Sequence, residues 1–379
     1  MVAQLLNTDT THRFMMTRIW IPLSLLFALS VTGCESLRFY TQAAAGQMFL
    51  LSKRKPIETL LSDPKTSPDL RRQLTMVADI RAFARDHLFL PLNGSYLSYA
   101  DLGRPYAVWN VYASPEFSLQ PKTWCHPFAG CVAYQGYFSE SSAITYAKTL
   151  RAKGYDTFVS GVAAYSTLGW FNDPVLNTYI HRPDRKLAAL VFHELSHQLL
   201  YVKDDTAFNE SFAAFVEQEG LRRWLAHTGD PAVFGDYREE RRRHQDFVRF
   251  VGRYRKRLVR LYAQASSLGE KRHAKAEIFS QMKQAYTRLK RQWGGYRGYD
   301  RWFQTGLNNA KIMTVSTYHK YVPAFSGLLA GANGDLKVFY RKCRNLAKLD
   351  REQRHELLER FATHNVTRHT VTRVSSELE

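Results

Sequence analysis

Apolar residues along this chain recur mostly at a helical spacing, and strand-like spacing is confined to the second quarter. From Ile57 to about Leu90 they return every three or four positions, as in LRRQLTMVADIRAFARDHLFL, which predicts helix. Short runs rich in β-branched and aromatic residues then predict strands: YAVWNVYAS, CVAYQGYF and DTFVSGVAAYS. The helix-like stretch SSAITYAKTLRAKG separates the last two and ends at Gly154. This part of the chain predicts a small α+β section.

After Asp184 the pattern is helical almost throughout. Two long stretches, DYREERRRHQDFVRFVGRYRKRLVRLYAQAS and EKRHAKAEIFSQMKQAYTRLKRQW, predict an antiparallel helical pair with strongly basic outer faces. The expected fold is therefore α+β and predominantly α-helical, with a small β-sheet. We expect a leader, residues 1–33, followed by four sections. These are an α+β section with the candidate functional residues, 34–228; a basic helical hairpin, 229–296; a helical section that completes the active-site cleft, 297–362; and a flexible tail, 363–379.

The first residues have the pattern of a targeting signal. Arg13 and Arg18 precede the apolar run IWIPLSLLFALSVTG, which ends in small residues before Cys34. VTGC is typical of bacterial lipoproteins, which are cut before a lipidated cysteine. The alternative is an ordinary secretory signal with an incidental cysteine, and Met15 or Met16 is an alternative start. We expect lipidation at Cys34 and a protein anchored to a bacterial envelope membrane, facing the periplasm.

The net charge indicates which kinds of partner the protein favours and does not indicate a reaction. The chain has 53 Lys and Arg against 34 Asp and Glu, a net charge of +19 and a pI near 9.8. This favours contact with anionic surfaces. The basic helices lack a recognised nucleic-acid motif, so we expect no nucleic-acid partner. They are expected to be either solvated or in contact with anionic lipid or lipopolysaccharide.

The stretch LAALVFHELSHQLLYVKDDTAFNESFAAFVEQEG places titratable groups within an apolar helix. His193 and His197 are four residues apart, so their imidazoles project from one face and can bind a single metal ion. Glu194 lies about 100° further round the helix, where its carboxylate can reach a metal-bound water. This HExxH arrangement predicts a zinc site that activates water, with Glu194 as the general base.

The third ligand is expected on the next helix, where Glu210 and Glu217 are seven residues apart. Glu210 has apolar neighbours, and an unpaired carboxylate there would be costly to bury, so it is the predicted ligand. Glu217 is spaced from His197 much as in longer-gap glutamate zincins. It remains the alternative ligand, or a partner that orients a ligand histidine.

Export to an oxidising compartment changes the state expected for the remaining cysteines. Cys125 and Cys131 flank the short loop CHPFAGC, and in an oxidising compartment they predict a disulfide. A metal knuckle that includes His126 is the alternative, but it lacks a second pair of ligands. Cys343 remains and is expected to be buried.

Four segments together resemble a known family: WNVYASPEFSLQPKTWCHPFAGCVAYQGYF, GVAAYSTLGWFNDPVL, HELSHQLLYVKDDTAFNESFAAFVE and LNNAKIMTVSTYHKYVPAF. They are similar to the bacterial predicted aminopeptidases, HExxH proteins that are often lipoproteins, from about Leu90 to Leu329. The resemblance implies a gluzincin-like zinc peptidase acting on peptides. It also implies His193, His197 and Glu210 as the zinc ligands and Glu194 as the base.

An aminopeptidase also needs a carboxylate for the substrate's ammonium group. The candidates are Asp173, Asp204 and Asp205, each of which could equally be a helix cap or a turn residue.

Aromatic residues supply the remaining catalytic candidates. Tyr165 lies in VAAYSTLGWF, which could be the edge strand on which peptide substrates pair. Tyr318, with His319 and Tyr321 as alternatives, could stabilise an oxyanion. Packing in the core or at the rim is an equally common use of such residues. The predicted activity is that of a zinc-dependent peptidase, with an envelope scaffold or an anionic-lipid-binding lipoprotein with a non-catalytic metal site as the alternative.

Overall fold

The computed structural model describes residues 37–126, 130–164, 172–229, 233–315 and 320–364. The chain divides into two compact units at Ser52. Within the first unit the structure describes one helix, α1, over residues 37–52. In the described parts of both units, no helix combines the length and the apolar character that crossing a membrane requires.

The second unit begins with two helices rather than the single helical stretch predicted from Ile57 to Leu90. These are α2 (Ile57–Ser62) and α3 (Pro68–Asp86). Pro64 and Pro68 explain the break, because proline cannot continue a helix and disfavours helical geometry in the residue before it. Asp63 is accordingly extended, and the Ser67 side chain caps the start of α3 by accepting from the Leu70 backbone N–H.

Two small sheets and a hairpin follow. In the main sheet, β3 (Val108–Pro115) lies between β6 (Gln135–Tyr137) and β7 (Tyr155–Val162), and both pairings are antiparallel. A second sheet has the order β1 (Arg54–Pro56), β2 (Ser98–Ala100) and β8 (Val175–Leu176). The hairpin consists of β4 (Trp124–His126) and β5 (Gly130–Val132).

The stretch CVAYQGYF was expected to be one strand and is instead divided between two. Its first residues belong to β5, and Gln135 to Tyr137 form β6 on the main sheet. A disulfide joins Cys125 to Cys131 and ties this first part to β4. The chain bends at Ala133 and Tyr134 before it reaches β3.

The remaining elements are helical. α4 packs against β3 and β7. In chain order the helices are α4 (Glu140–Ala152), α5 (Asn177–Ile180), α6 (Asp184–Leu199), α7 (Thr206–His227), α8 (Val233–Ala263), α9 (Leu268–Gln292), α10 (Asp300–Gln304), α11 (Asn309–Thr314), α12 (Val322–Ala330), α13 (Leu336–Lys348) and α14 (Arg351–His364). The predicted fold class, α+β and predominantly helical with small sheets, is confirmed.

Helices α8 and α9 form an antiparallel hairpin. Tyr262 pairs with Lys271, and Tyr254 further back along α8 pairs with Gln281 further along α9. One face of each helix enters a shared apolar cluster that includes Phe250, Val251, Leu258, Ile278 and Met282. The predicted tail beyond residue 364 lies outside the described residues.

Candidate metal centre

Helix α6 buries one face in the core, and both histidines of the motif project from another face. Leu187, Val191 and Leu195 are fully buried, and four-residue steps along the helix place them on one side. His193 and His197 project together on another side, with 5.0 Å between their ring centroids. Their side chains retain only 19% and 6% exposure, so both imidazoles are largely buried.

Helix α7 brings Glu210 to the same point. One carboxylate oxygen lies 3.5 Å from His193 Nε2 and the other 3.7 Å from His197 Nε2. The three ligand atoms all lie within 4.8 Å of one another. Ligands bound tetrahedrally to zinc at 2.0–2.1 Å are about 3.3 Å apart, so small side-chain movements would allow these three to hold one ion. The structure thus brings together the three residues predicted as ligands.

Glu217 occupies a different position, on the far side of His193. Its Oε2 accepts a hydrogen bond of 3.1 Å from His193 Nδ1, whereas Glu210 faces Nε2. Tyr237 on α8 donates to the other oxygen of Glu217 at 3.4 Å. This contact directs His193 Nε2 towards Glu210, and a carboxylate in that position is the usual way of orienting a metal-bound histidine.

Glu194 is half-buried and lies beside the same centre. Burial raises the pKa values of Tyr96 and Tyr179, and the charge of Glu194 raises both further. Both phenols are therefore neutral and close to the Glu194 carboxylate. The carboxylate of the motif thus lies near two buried phenols.

The electrostatics of the cluster favour a cation. Burial lowers the pKa of His193, but the hydrogen bonds with Glu210 and Glu217 and the charge of Glu194 outweigh this effect and raise it to about 10. Three carboxylates therefore surround one imidazole and stabilise positive charge there. Two imidazoles and a carboxylate also form the ligand set of known catalytic zinc sites. On donor chemistry and spacing, the residues present fit a divalent metal ion.

His197 behaves differently from His193. Burial and the neighbouring His193 lower the pKa of His197 to about 4. Its Nδ1 is buried and has no hydrogen-bond partner among the described residues. His197 is therefore neutral at ordinary pH, which is the form that binds metal, whereas a metal ion binding His193 would displace a proton.

The turn between α6 and α7 is fixed by buried side chains. Asn209, immediately before Glu210, accepts from the Val202 N–H at 2.8 Å and donates to the Val202 carbonyl at 2.7 Å. Asp205 caps α7 by accepting from the Phe208 N–H, and it also accepts from Arg354 and His355 on α14. Asp205, the N-cap of α7, and Asn209, in its first turn, thus fix the start of the ligand helix.

The predicted substrate-binding carboxylates differ in exposure. Asp173 and Asp205 are 3% and 1% exposed, so neither offers a free carboxylate to a ligand from solvent. Asp204 is exposed, and its Oδ1 accepts from the Cys131 N–H of the disulfide hairpin at 3.4 Å. Among the three, Asp204 alone is accessible.

The aromatic candidates are only partly described. Tyr165, Tyr318 and His319 lie outside the described residues. Tyr321 is buried, and its backbone N–H donates to the Ser211 hydroxyl at 3.2 Å, next to Glu210. Tyr201, which the sequence analysis missed, is 43% exposed, and its ring centroid is 6.3 Å from that of His197. Its place four residues after His197 was the available signal.

A cavity also lies away from the candidate metal centre. It measures about 540 Å³ and is lined by α9 residues and the loop before α11, including Phe279, Lys283 and Leu307. Two of its basic residues are neutralised by partners, Lys275 by Asp156 and Arg272 by Glu116. None of the metal-centre residues lines it.

Comparison with known proteins identifies the family to which the chain belongs. Searches of curated proteins and of solved structures gave no match. The model of one family, described as "putative aminopeptidase", matches residues 38–358, which contain every residue of the candidate metal centre. The chain belongs to this putative aminopeptidase family, as the sequence resemblance indicated.

Proposed function

We propose that this protein is a zinc-dependent peptidase of gluzincin-like construction, with His193, His197 and Glu210 as the metal ligands. The observation that carries the proposal is the position of Glu210, whose two oxygens lie 3.5 and 3.7 Å from the Nε2 atoms of the two histidines. Bound zinc supplies Lewis acidity and lowers the pKa of water. Family membership supports peptidase activity at a coarser level.

In this proposal Glu194 is the general base. It follows His193 directly, so its carboxylate lies about 100° round the helix from the imidazole and beside the ligands rather than among them. It accepts the proton of the attacking water and returns it to the departing amine. Two buried tyrosines, Tyr96 and Tyr179, lie within the electrostatic influence of this carboxylate.

The number of protein ligands favours a catalytic metal site over a structural one. A structural zinc site is closed by four protein ligands, whereas a catalytic site has three and keeps one position open. Among the described residues the group contains two histidines and one glutamate, without a fourth His, Cys, Asp or Glu. An envelope scaffold with a non-catalytic metal site is therefore the weaker candidate.

Two tyrosines are proposed to contact the substrate. Tyr318 precedes Tyr321 by three residues, and the Tyr321 backbone lies at Ser211, next to Glu210. We assign Tyr318 as the donor to the substrate carbonyl oxygen. Tyr165 lies outside the described residues, and its contact with the substrate is proposed from the sequence alone.

Aminopeptidase specificity is proposed from the family name and from one accessible carboxylate. Asp204 lies in the turn between the two ligand helices and is exposed, so it can bind a substrate ammonium group. The burial of Asp173 and Asp205 leaves it as the best candidate among the three.

The location of the protein is proposed from its first residues. The sequence VTGC supports lipidation at Cys34 and anchoring in a bacterial envelope membrane, with the second unit in the periplasm. The disulfide between Cys125 and Cys131 agrees with an oxidising compartment. Contact of the basic helices with anionic lipid is a second proposed function, favoured by the charge distribution of α8.

The test is metal content together with hydrolysis of peptide libraries, for wild type and His193→Ala. We expect near-stoichiometric zinc in wild type, loss of both zinc and cleavage in His193→Ala, and loss of cleavage on chelation with recovery when zinc returns. Libraries with free and with acetylated N-termini distinguish an aminopeptidase from an endopeptidase. Wild type that holds zinc but cleaves neither library would contradict the proposal and favour the scaffold.

A further inference from the structure

The two halves of α8 differ in how their basic residues are balanced. In the first half, Arg242 pairs with Glu239 and Asp246, and Arg249 pairs with Asp246. From Phe247 to Gly269 the sequence has six arginines and lysines and no Asp or Glu. The end of the helix that leads into the hairpin turn therefore carries uncompensated positive charge.

Four of these basic residues share one face of α8. Positions 253, 256, 257 and 260 fall within about 100° of arc at 100° per residue, and all four side chains are exposed. The opposite face of this segment is buried in the hairpin core through Tyr254, Leu258 and Leu261. None of the four forms an ion pair with a described residue. Arg253, Lys256, Arg257 and Arg260 thus present their charges to solvent together.

Two of these residues do have weaker contacts. The Arg253 and Arg257 guanidinium groups lie 5.5 and 5.3 Å from the ring centroids of Phe250 and Tyr254, and Arg257 also donates to Gln281. These contacts orient the guanidinium groups without cancelling their charge. Two acids on α9 lie nearby: Glu270 is engaged in the capping box with Ser267, and Glu277 accepts from the Gln281 amide that Arg257 contacts, without an ion pair to Arg257.

Exposed apolar side chains flank this charge along the chain. Val259 is 54% exposed and about 60° round the helix from Lys256. Leu268, the first residue of α9, is 59% exposed on the other side of the turn. We call these six residues the hairpin-tip patch: Arg253, Lys256, Arg257, Arg260, Val259 and Leu268.

Deepening the lipid contact proposed above, on which this inference rests, we propose that the hairpin-tip patch docks on the surface of an anionic phospholipid membrane, independently of any peptidase activity. The argument is charge complementarity combined with exposed apolar side chains. Each Lys or Arg close to an anionic bilayer contributes about fivefold in partitioning, or about 1 kcal/mol. Exposed Leu and Val side chains can enter the boundary between headgroups and acyl chains, as they do in interfacial helices. Nucleic acid would use the charges and leave the apolar residues without a partner.

The test uses a local probe, because residues 1–33 are apolar enough to bind vesicles themselves. The full chain carries Cys34→Ser and Leu268→Cys labelled with a polarity-sensitive fluorophore. It is mixed with vesicles of phosphatidylcholine, with or without phosphatidylglycerol. We expect a blue shift, and quenching by spin-labelled lipid, only with the anionic vesicles. The signal should weaken between about 0.1 and 1 M salt as the Debye length falls from about 10 to 3 Å.

Charge-matched variants decide where the contact lies. In one variant, Gln replaces Arg253, Lys256, Arg257 and Arg260. The lipid concentration needed for half of the maximal probe signal should then rise by more than about a hundredfold. The control replaces Arg341, Arg344, Lys348 and Arg351 by Gln, the same change in charge on α13 and α14. An equal loss in the control would overturn the proposal, as would a probe that stays in water on bound protein. A shift without vesicles would indicate self-association and also overturn it.

Discussion

Arg354 and Asp205 form an ion pair with 2.8 Å between Nε and Oδ2, and their side chains are only 4% and 1% exposed. Asp205 caps the helix that carries Glu210, whereas Arg354 lies near the other end of the described chain, on α14. A buried pair of this kind ties the first turn of the ligand helix to a distant element. Its contribution to the site is positional, because neither side chain reaches the metal centre.

Breaking this pair should therefore affect both stability and metal binding. Arg354→Ala leaves the Asp205 charge buried with only His355 and the helix cap, and we expect a loss of about 3–5 kcal/mol in the free energy of unfolding. Urea unfolding and zinc titration would measure both effects. Arg351→Ala, on the exposed face of the same helix, is the control and should cost less than about 0.5 kcal/mol. Equal effects for the two variants would contradict the account.

The contact between Glu217 and His193 leads to a graded prediction for metal affinity. Glu217→Gln removes the charge that orients the imidazole but leaves the three ligands, so zinc should bind about 10–100-fold more weakly. Glu210→Gln removes a ligand and should weaken binding further. Glu219→Gln is the control, because Glu219 pairs with Arg222 and Arg223 away from the histidines. A larger loss for Glu217→Gln than for Glu210→Gln would reverse the assignment of the third ligand.

Gly130 in the disulfide hairpin is required by two separate features. Its φ is +73°, and a Cβ there would lie 2.3 Å from Asp204 Oδ1. Gly103 has a similar φ of +61° with open space around it, so Gly103→Ala measures the backbone cost alone, about 1–2 kcal/mol. We expect Gly130→Ala to lower the free energy of unfolding by more. Adding Asp204→Ala should recover the difference, and no recovery would show that the contact with Asp204 is unimportant.

Lys311 should make stability depend on pH in the alkaline range. It is fully buried, donates to the Thr305 carbonyl at 3.0 Å, and lies over the rings of Phe158 and Trp302. Burial, helped by the charge of Lys283, lowers the pKa of Lys311 from 10.5 to about 8. Between these values the unfolded chain binds more protons than the folded one, so the free energy of unfolding rises with pH.

The Lys311→Met variant isolates this contribution. Tyrosines with raised pKa values also titrate in the alkaline range, so the quantity to follow is the stability of wild type minus that of the variant. This difference should shift in favour of wild type from about pH 8 to 10.5, as measured by chemical unfolding. A constant difference would mean that the folded and unfolded states bind this proton equally.

The convergence of the three candidate ligands was largely predictable, because local geometry determines most of it. A four-residue spacing places His193 and His197 on one helical face whatever the rest of the fold. The sequence argument for Glu210 was the cost of burying a lone carboxylate, whereas its side chain is 33% exposed in the structure, so this reason was wrong. The sequence could not decide between a ligand and an orienting role for Glu217, since that depends on which imidazole nitrogen it meets.

Other features depend on tertiary packing and left no local signal. Tyr237 meets Glu217 across two helices, and Arg354 meets Asp205 across 149 residues. The break between α2 and α3 was different, because Pro64 and Pro68 signalled it. It was missed because apolar residues keep a helical spacing on both sides of the break. Proline chemistry outweighs such a pattern.

The central claim is that Glu194 acts on water held by a metal that other residues bind, and the substitution Glu194→Gln tests it most directly. The measurement is zinc content together with the rate of peptide cleavage, on the same sample of each protein. The account predicts that Glu194→Gln keeps zinc at the wild-type level while cleavage falls by at least about a hundredfold, as expected for loss of a general base. Unchanged cleavage with zinc retained would contradict the account.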